Sequence, residues 1–345
     1  MAPISAQLGL ALVPDHLVDR RPEVPVDSLI TGLVPPPLFA TVRFDTYVPD
    51  PDEPTQALAS RQLRSFVETI GAPARSGLFR RRSEPSGPAG IYLDGGFGVG
   101  KTHLLASAWH AAPAPKVYAT FVELTHLAGA LGFARLVTEL SIMRFLAIDE
   151  FELDDPGDTV LVSTLLARLD QAGVRLAATS NTLPDRLGED RFAADDFLRE
   201  IQAMAARFTA IRVDGPDYRH RGLPDPPAPP SAQEVVLATE RPGATLDDFD
   251  ALIGHLASLH PSRYGALVEG TSLVGLTGVR AAPDQNVALR LVVLADRLYD
   301  RQIPLLASGI PLDELFPAEM LAGGYRKKYR RAISRLIALA RLRAA

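Results

Sequence analysis

Residues 95–102 read Gly95-Gly96-Phe97-Gly98-Val99-Gly100-Lys101-Thr102 and fit G-x-x-x-x-G-K-[ST] with no mismatch. The chemistry this spacing serves is phosphate binding. Glycines lack a Cβ, so the chain can turn tightly and aim its N–H groups inward. A helix that starts here adds the positive end of its dipole. Lys101 is placed to reach the β- and γ-phosphates of ATP, and the Thr102 hydroxyl to hold Mg²⁺. A glycine-rich turn before a surface lysine also fits the bare pattern. The flanks favour the cradle: Ile91-Tyr92-Leu93-Asp94 reads as a buried strand, and His103 to Trp109 as the start of a helix. His103, directly after Thr102, is counted with residues 95–102 among the nucleotide-binding candidates, and a helix-packing role suits it better than catalysis.

A second set follows. Phe145-Leu146-Ala147-Ile148-Asp149-Glu150 is an apolar run ending in two carboxylates. A buried strand delivering these side chains at its C-terminal end is the Walker B arrangement. Asp149 then binds Mg²⁺, and Glu150 orients and polarises the attacking water. A third candidate is Asn181, at the tip of the apolar run Val174 to Thr179. A polar tip there suits a sensor of the γ-phosphate or lytic water; an Asx-type turn before Pro184 is the alternative.

These residues need strands to carry them. Apolar runs at 91–94, 116–121, 145–149, 174–179 and 209–213 alternate with helical segments at 103–109, 123–141 and 158–172. Alternation of this kind predicts an α/β fold with a parallel five-stranded sheet. Helical spacing of Leu63, Phe66, Val67 and Ile70 marks a further helix at 56–70. The segment 1–55 reads as a proline-rich N-terminal arm and 56–221 as the P-loop ATPase core. Residues 222–230 hold five prolines in nine and read as an extended linker. Beyond lies a smaller α/β or α+β region, 231–345. There the expectation is strands at 234–239, 272–279 and 303–307, and helices at 246–259, 284–301 and 325–343.

The last of these helices is strongly basic, with Arg326, Lys327, Lys328, Arg330, Arg331, Arg335, Arg341 and Arg343, and no acidic residue follows Glu319. Its apolar stripe (Ile333, Leu336, Ile337, Ala340) predicts docking. Its charges fit an acidic partner, nucleotide phosphates or a plain solvated face. Arg80-Arg81-Arg82 reads as loop charge more readily than as a nucleic-acid contact. The 345 residues are 47% apolar and 22% charged, with a formal net charge of −5. This is ordinary for a globular protein and does not advertise nucleic acid, which stays open as a partner. The absence of cysteine excludes disulfides and thiolate metal sites. No signal peptide and no membrane span are expected. The seven histidines are scattered, without an H-E-x-x-H motif, and no G-x-S-x-G elbow occurs.

Four stretches in order carry a resemblance: Gly95–Thr102, Ile148-Asp149-Glu150-Phe151-Glu152-Leu153-Asp154-Asp155-Pro156-Gly157-Asp158, Ala178-Thr179-Ser180-Asn181 and Asp214-Gly215-Pro216-Asp217-Tyr218-Arg219. Together they resemble the cell division protein ZapE family, bacterial relatives of the mitochondrial AFG-type ATPases. Arg290 to Asp300, Ile310 to Phe316 and Ser334-Arg335-Leu336 are similar to that family too. The resemblance implies an AAA+-type ATPase core. It also implies dependence on Mg²⁺ and ATP, a cytoplasmic location, association with the division protein FtsZ, and homo-oligomerisation. It carries Walker A roles to Lys101 and Thr102, Walker B roles to Asp149 and Glu150, and sensor 1 to Asn181. An ATPase of this kind takes an arginine from its neighbour. Arg191, in an expected exposed turn, is the choice over Arg199 and Arg207. A helicase-loader type of ATPase acting on nucleic acid is the other reading of the same core.

Overall fold

A computed structural model describes residues 15–23, 26–71, 90–96, 98–153, 156–184, 187, 197–215 and 227–342. The chain divides into two units, Pro25–Leu223 and Met1–Val24 with Pro224–Ala345.

The first unit runs α1 (Val26–Thr31), α2 (Pro54–Glu68), β1 (Gly90–Gly95), α3 (Lys101–Ala111), β2 (Lys116–Thr120), α4 (Phe121–Leu131), α5 (Phe133–Ser141), β3 (Phe145–Asp149), α6 (Pro156–Gln171), β4 (Arg175–Ser180), α7 (Leu198–Ala205) and β5 (Phe208–Val213). Its strands form one sheet in the order β2-β3-β4-β1-β5, with every pairing parallel. Successive side chains of a strand point to opposite faces, and both faces here are covered. Tyr92, Leu146, Ile148, Leu176 and Ala178 pack with the helices α4 to α7. Ile91, Leu93, Phe145, Ala147, Ala177 and Ile211 pack on the other face with α2 and α3. Burial on both faces explains why these strands read as continuous apolar runs. The single helix expected at 123–141 is two. Thr120 and Glu123 make a reciprocal capping box at the start of α4, and Gly132, at φ 79°, breaks the chain before α5.

The register aligns the strand ends that carry the chemistry. Leu93 pairs with Thr179, Asp94 with Ser180, and Ile148 with Ala178. Parallel strands bring their C-terminal ends to one edge, so Gly95, Asp149 and Ser180 stand together. Residues 26–47 pack on this unit: Ile30 and Leu33 enter its core, and the Tyr118 N–H donates to Leu33 O at 2.8 Å.

The second unit contains α8 (Ala232–Thr239), β6 (Ala244–Asp248), α9 (Phe249–Ser258), α10 (Tyr264–Leu267), β7 (Leu273–Val279), α11 (Gln285–Asp300), β8 (Leu305–Gly309), α12 (Ala318–Ala322) and α13 (Arg326–Arg341). Its parallel sheet has the order β6-β7-β8. Two expectations are corrected here. The Val-Val-Leu run at 234–239 is helix, because Ser231 and Glu234 form a capping box that starts a helix before the β-branched residues can pair as a strand. Residues 244–248 are strand, and Asp248 caps the helix that follows by accepting from Asp250 N and Ala251 N. Residues 15–19 join this unit. Asp15 bridges to Thr245, and the Asp247 carboxylate accepts from the N–H groups of Leu17 and Val18 at 3.0 and 3.1 Å.

Candidate active site

The glycine loop leaves β1, the strand between β4 and β5, and ends where α3 begins. Gly98 and Gly100 have φ 74° and 91°, a left-handed backbone closed to most side chains. A Cβ at Gly95 would lie 2.1 Å from Val213 O, and one at Gly100 would lie 2.6 Å from Tyr47 Cε2. Close packing therefore demands glycine at both ends of the loop. Tyr47 braces it further, donating its hydroxyl to Val99 O at 3.2 Å. Phe97 lies outside the described residues.

Lys101, in the first turn of α3, is buried beneath the loop. Its Nζ donates to Gly95 O at 2.8 Å, to Gly96 O, and to Asn181 Oδ1 at 2.9 Å. Carbonyl and amide oxygens thus hold the ammonium at the mouth of the cradle. The next residue, Thr102, donates to Asp149 Oδ1 at 3.3 Å. Asp149 ends β3 and is buried, so its carboxylate needs partners. It has them: Thr179 Oγ1 and Glu150 N donate to Oδ1, and Tyr118 OH donates to Oδ2 at 2.8 Å.

Glu150 adopts φ 55°, a left-handed conformation that strains a non-glycine backbone. Its N–H donates to Asp149 Oδ1 at 3.2 Å and to Thr179 Oγ1 at 3.1 Å, which fixes the turn. Asn181 follows β4, the strand between β1 and β3. That strand order sets Asn181 beside Lys101 on one side and Glu152 on the other, the latter accepting from Asn181 Nδ2 at 3.1 Å. Burial pushes the Tyr92 phenol far above its ordinary value, so it stays protonated and donates to Thr182 O at 2.8 Å. At the other side, Arg212 joins Asp94 at 2.5 Å and Asp214 at 2.7 Å, tying the ends of β1 and β5.

Hydrogen bonds thus join Lys101 to Asn181 and Thr102 to Asp149, with Glu150 attached to Asp149 through its backbone. His103, expected among the nucleotide-binding residues, packs instead against the 43–47 segment. Its Nε2 lies 3.1 Å from Thr46 Oγ1 and 3.3 Å from Arg43 O, and its ring meets Tyr47 edge-on. Burial holds its pKa below the ordinary histidine value. It joins the 43–47 segment to the helix behind the loop. Arg191 lies outside the described residues, Arg199 is exposed on α7, and Arg207 is paired with Asp170. Tyr118, Thr179 and Glu152 also contribute, and no pattern in the sequence singles them out: Thr179 and Glu152 fall within the stretches 178–181 and 148–158, but their contacts depend on strand register.

The donor set suits a hard cation. Among the described residues no group of three or more His, Cys, Asp or Glu side chains could hold a metal by itself. One hydroxyl and one carboxylate, Thr102 and Asp149, match the sparse oxygen ligation of Mg²⁺, which keeps its waters and shares substrate phosphates. Among the described residues, no helix is long and apolar enough to cross a membrane.

Comparison with known proteins agrees with this geometry. The AFG1-like ATPase family matches residues 23–236 and 231–343. The chain is 26% identical to the cell division protein ZapE of Escherichia coli (strain K12), across 83% of this chain and 90% of that one. It is 29% identical to an uncharacterised Schizosaccharomyces pombe protein across 39% of this chain and 34% of that one. Among solved structures, AMPPCP-bound DnaA from Aquifex aeolicus overlaps at TM-score 0.38 and 13% identity, covering 50% of each chain. That overlap is weak, and the family match does not depend on it. The chain belongs to the AFG1-like ATPase family and is a nucleotide-binding P-loop ATPase of the AAA+ type.

Proposed function

We propose that the protein hydrolyses ATP with Mg²⁺ and uses the cycle to regulate or remodel a protein partner, an FtsZ-like division protein in the cytoplasm. The observation that carries the chemical part is the convergence of Lys101, Thr102, Asp149, Glu150 and Asn181 at the C-terminal edge of β1, β3 and β4. Bound Mg²⁺ would neutralise developing charge on the phosphates, held by Thr102 and Asp149. The loop N–H groups and the α3 N-terminus bind the phosphate chain. Lys101 leaves its carbonyl partners for the β- and γ-phosphates. Glu150, on its strained turn, takes a proton from the attacking water. Asn181 senses the γ-phosphate or that water. Arg191 is our choice for an arginine supplied to the neighbouring subunit of a homo-oligomer.

A protein partner is favoured over nucleic acid because two cations of the basic terminal helix are consumed internally. Arg331 and Arg335 both bind Asp296. The similarity to a cell division protein supports the choice of partner. Glu150→Gln tests both halves. It should bind ATP normally while turnover falls about 10²-fold, the scale of a lost general base. Held in the ATP state, it should retain the partner in a pull-down where Lys101→Ala does not. Loss of ATP binding in Glu150→Gln would make Glu150 structural.

A further inference from the structure

A chain of hydrogen bonds crosses the site and ends on Glu152, a carboxylate without a role so far. Glu152 lies just beyond β3 between Phe151 and Leu153, and all three are buried. Burying a carboxylate is costly, and an apolar residue would fill this space more cheaply. What Glu152 gains is one specific contact: its Oε1 accepts from Asn181 Nδ2 at 3.1 Å. On the far side of the same amide, Asn181 Oδ1 accepts from Lys101 Nζ at 2.9 Å. An ammonium can only donate and a carboxylate can only accept. Both neighbours therefore require one orientation of the amide, oxygen toward the phosphate loop and nitrogen toward Glu152.

We propose that Glu152 is a positioning residue for ATP hydrolysis, pinning the Asn181 amide so that its oxygen faces the water that attacks the γ-phosphate. The inference rests on Asn181 being part of the hydrolytic site. When Lys101 moves to the phosphates, Oδ1 loses its donor while Nδ2 stays with Glu152. Asn181 then presents an acceptor. An acceptor cannot bond a phosphate oxygen, but it can hold a water by one of its protons. Asn181 in this chain thus orients the nucleophile. The water oxygen bonds to the γ-phosphorus, the bond to the β–γ bridging oxygen breaks, and ADP leaves. One water proton passes to Glu150 while the other points at Asn181 Oδ1. Without Glu152 the amide is free to flip and offer its nitrogen to the phosphate, which leaves the water unaligned.

The test is a double-mutant cycle on the full chain, reading kcat, KM for ATP and thermal unfolding. Glu152→Ala should lower kcat about tenfold with KM changed less than about twofold, the pattern of a contact that matters only to the chemical step. Glu152→Gln keeps an oxygen acceptor and should recover most of that loss. Combined with Asn181→Ala, Glu152→Ala should cost nothing more, because its effect runs through the missing amide. If Glu152→Ala does not fold, Glu152→Leu fills the space without an acceptor and carries the same expectations. An equal kcat penalty with and without Asn181 would overturn the proposal, as would a raised KM at constant kcat. Wild-type kcat in Asn181→Ala alone would be a different failure, removing Asn181 from the site altogether.

Discussion

At the scale of single residues, the site is organised around one carboxylate. Asp149 gathers hydroxyls from Thr102, Tyr118 and Thr179 and the N–H of Glu150. Thr179 also accepts from Glu150 N, so one hydroxyl aligns both the metal-binding candidate and the backbone of the candidate base. Thr179→Val keeps the shape and removes the hydroxyl. It should cost about 1–3 kcal/mol of stability, the penalty for buried groups left without a partner. Turnover should fall while ATP affinity holds, since Lys101 and the loop are untouched. Thermal unfolding with kcat and nucleotide titration checks this; unchanged kcat would mean that the Glu150 turn holds itself.

At the scale of elements, the loop-to-helix passage and the acidic strand end could be read from residue order, because each is a local pattern. So could the strands of the first unit, whose two-sided burial leaves unbroken apolar runs such as Phe145–Ile148. Cross-strand partners could not. Tyr118 meets Asp149 because β2 pairs with β3, and nothing near position 118 announces it. The 234–239 stretch misled because β-branched residues outweighed the cap at Ser231, which is decisive locally. The terminal helix carries both its stripe and its charges as expected, but two of its arginines serve the interior. Burial alone would raise the Asp296 pKa; Arg331 and Arg335, helped by Arg297, outweigh that and hold it below the ordinary carboxylate value. Stability from a depressed carboxylate is complete above the ordinary aspartate pKa of about 3.9 and is lost as pH falls through the folded value. Asp296→Asn should therefore destabilise the protein by about 3–5 kcal/mol at neutral pH, because it removes the negative charge that the part-buried Arg331 and Arg335 share. The urea midpoints of wild type and variant should converge in acid. A constant gap down to pH 2 would show that Asp296 is not a charged anchor.

At the scale of the whole molecule, a parallel sheet places the loop, the acidic pair and the polar strand tip along one edge, and a smaller parallel unit follows in the chain. A site at an edge can be completed by a neighbour. If Arg191 acts across subunits, specific activity should rise with protein concentration and Arg191→Ala should abolish the rise. Mixing Arg191→Ala with Lys101→Ala should restore part of the activity, since each lacks a different half of the shared site. No recovery in subunits that co-assemble would place the arginine within its own subunit or outside the reaction. All of this depends on Lys101 giving up Gly95, Gly96 and Asn181 to neutralise phosphate. The most direct measurement is therefore ATP binding and hydrolysis by Lys101→Ala beside the wild type in the presence of Mg²⁺. Hydrolysis should be abolished and ATP binding greatly weakened, with the fold intact by thermal unfolding; near-wild-type hydrolysis by a folded Lys101→Ala would show that the glycine loop and its lysine are not the phosphate site.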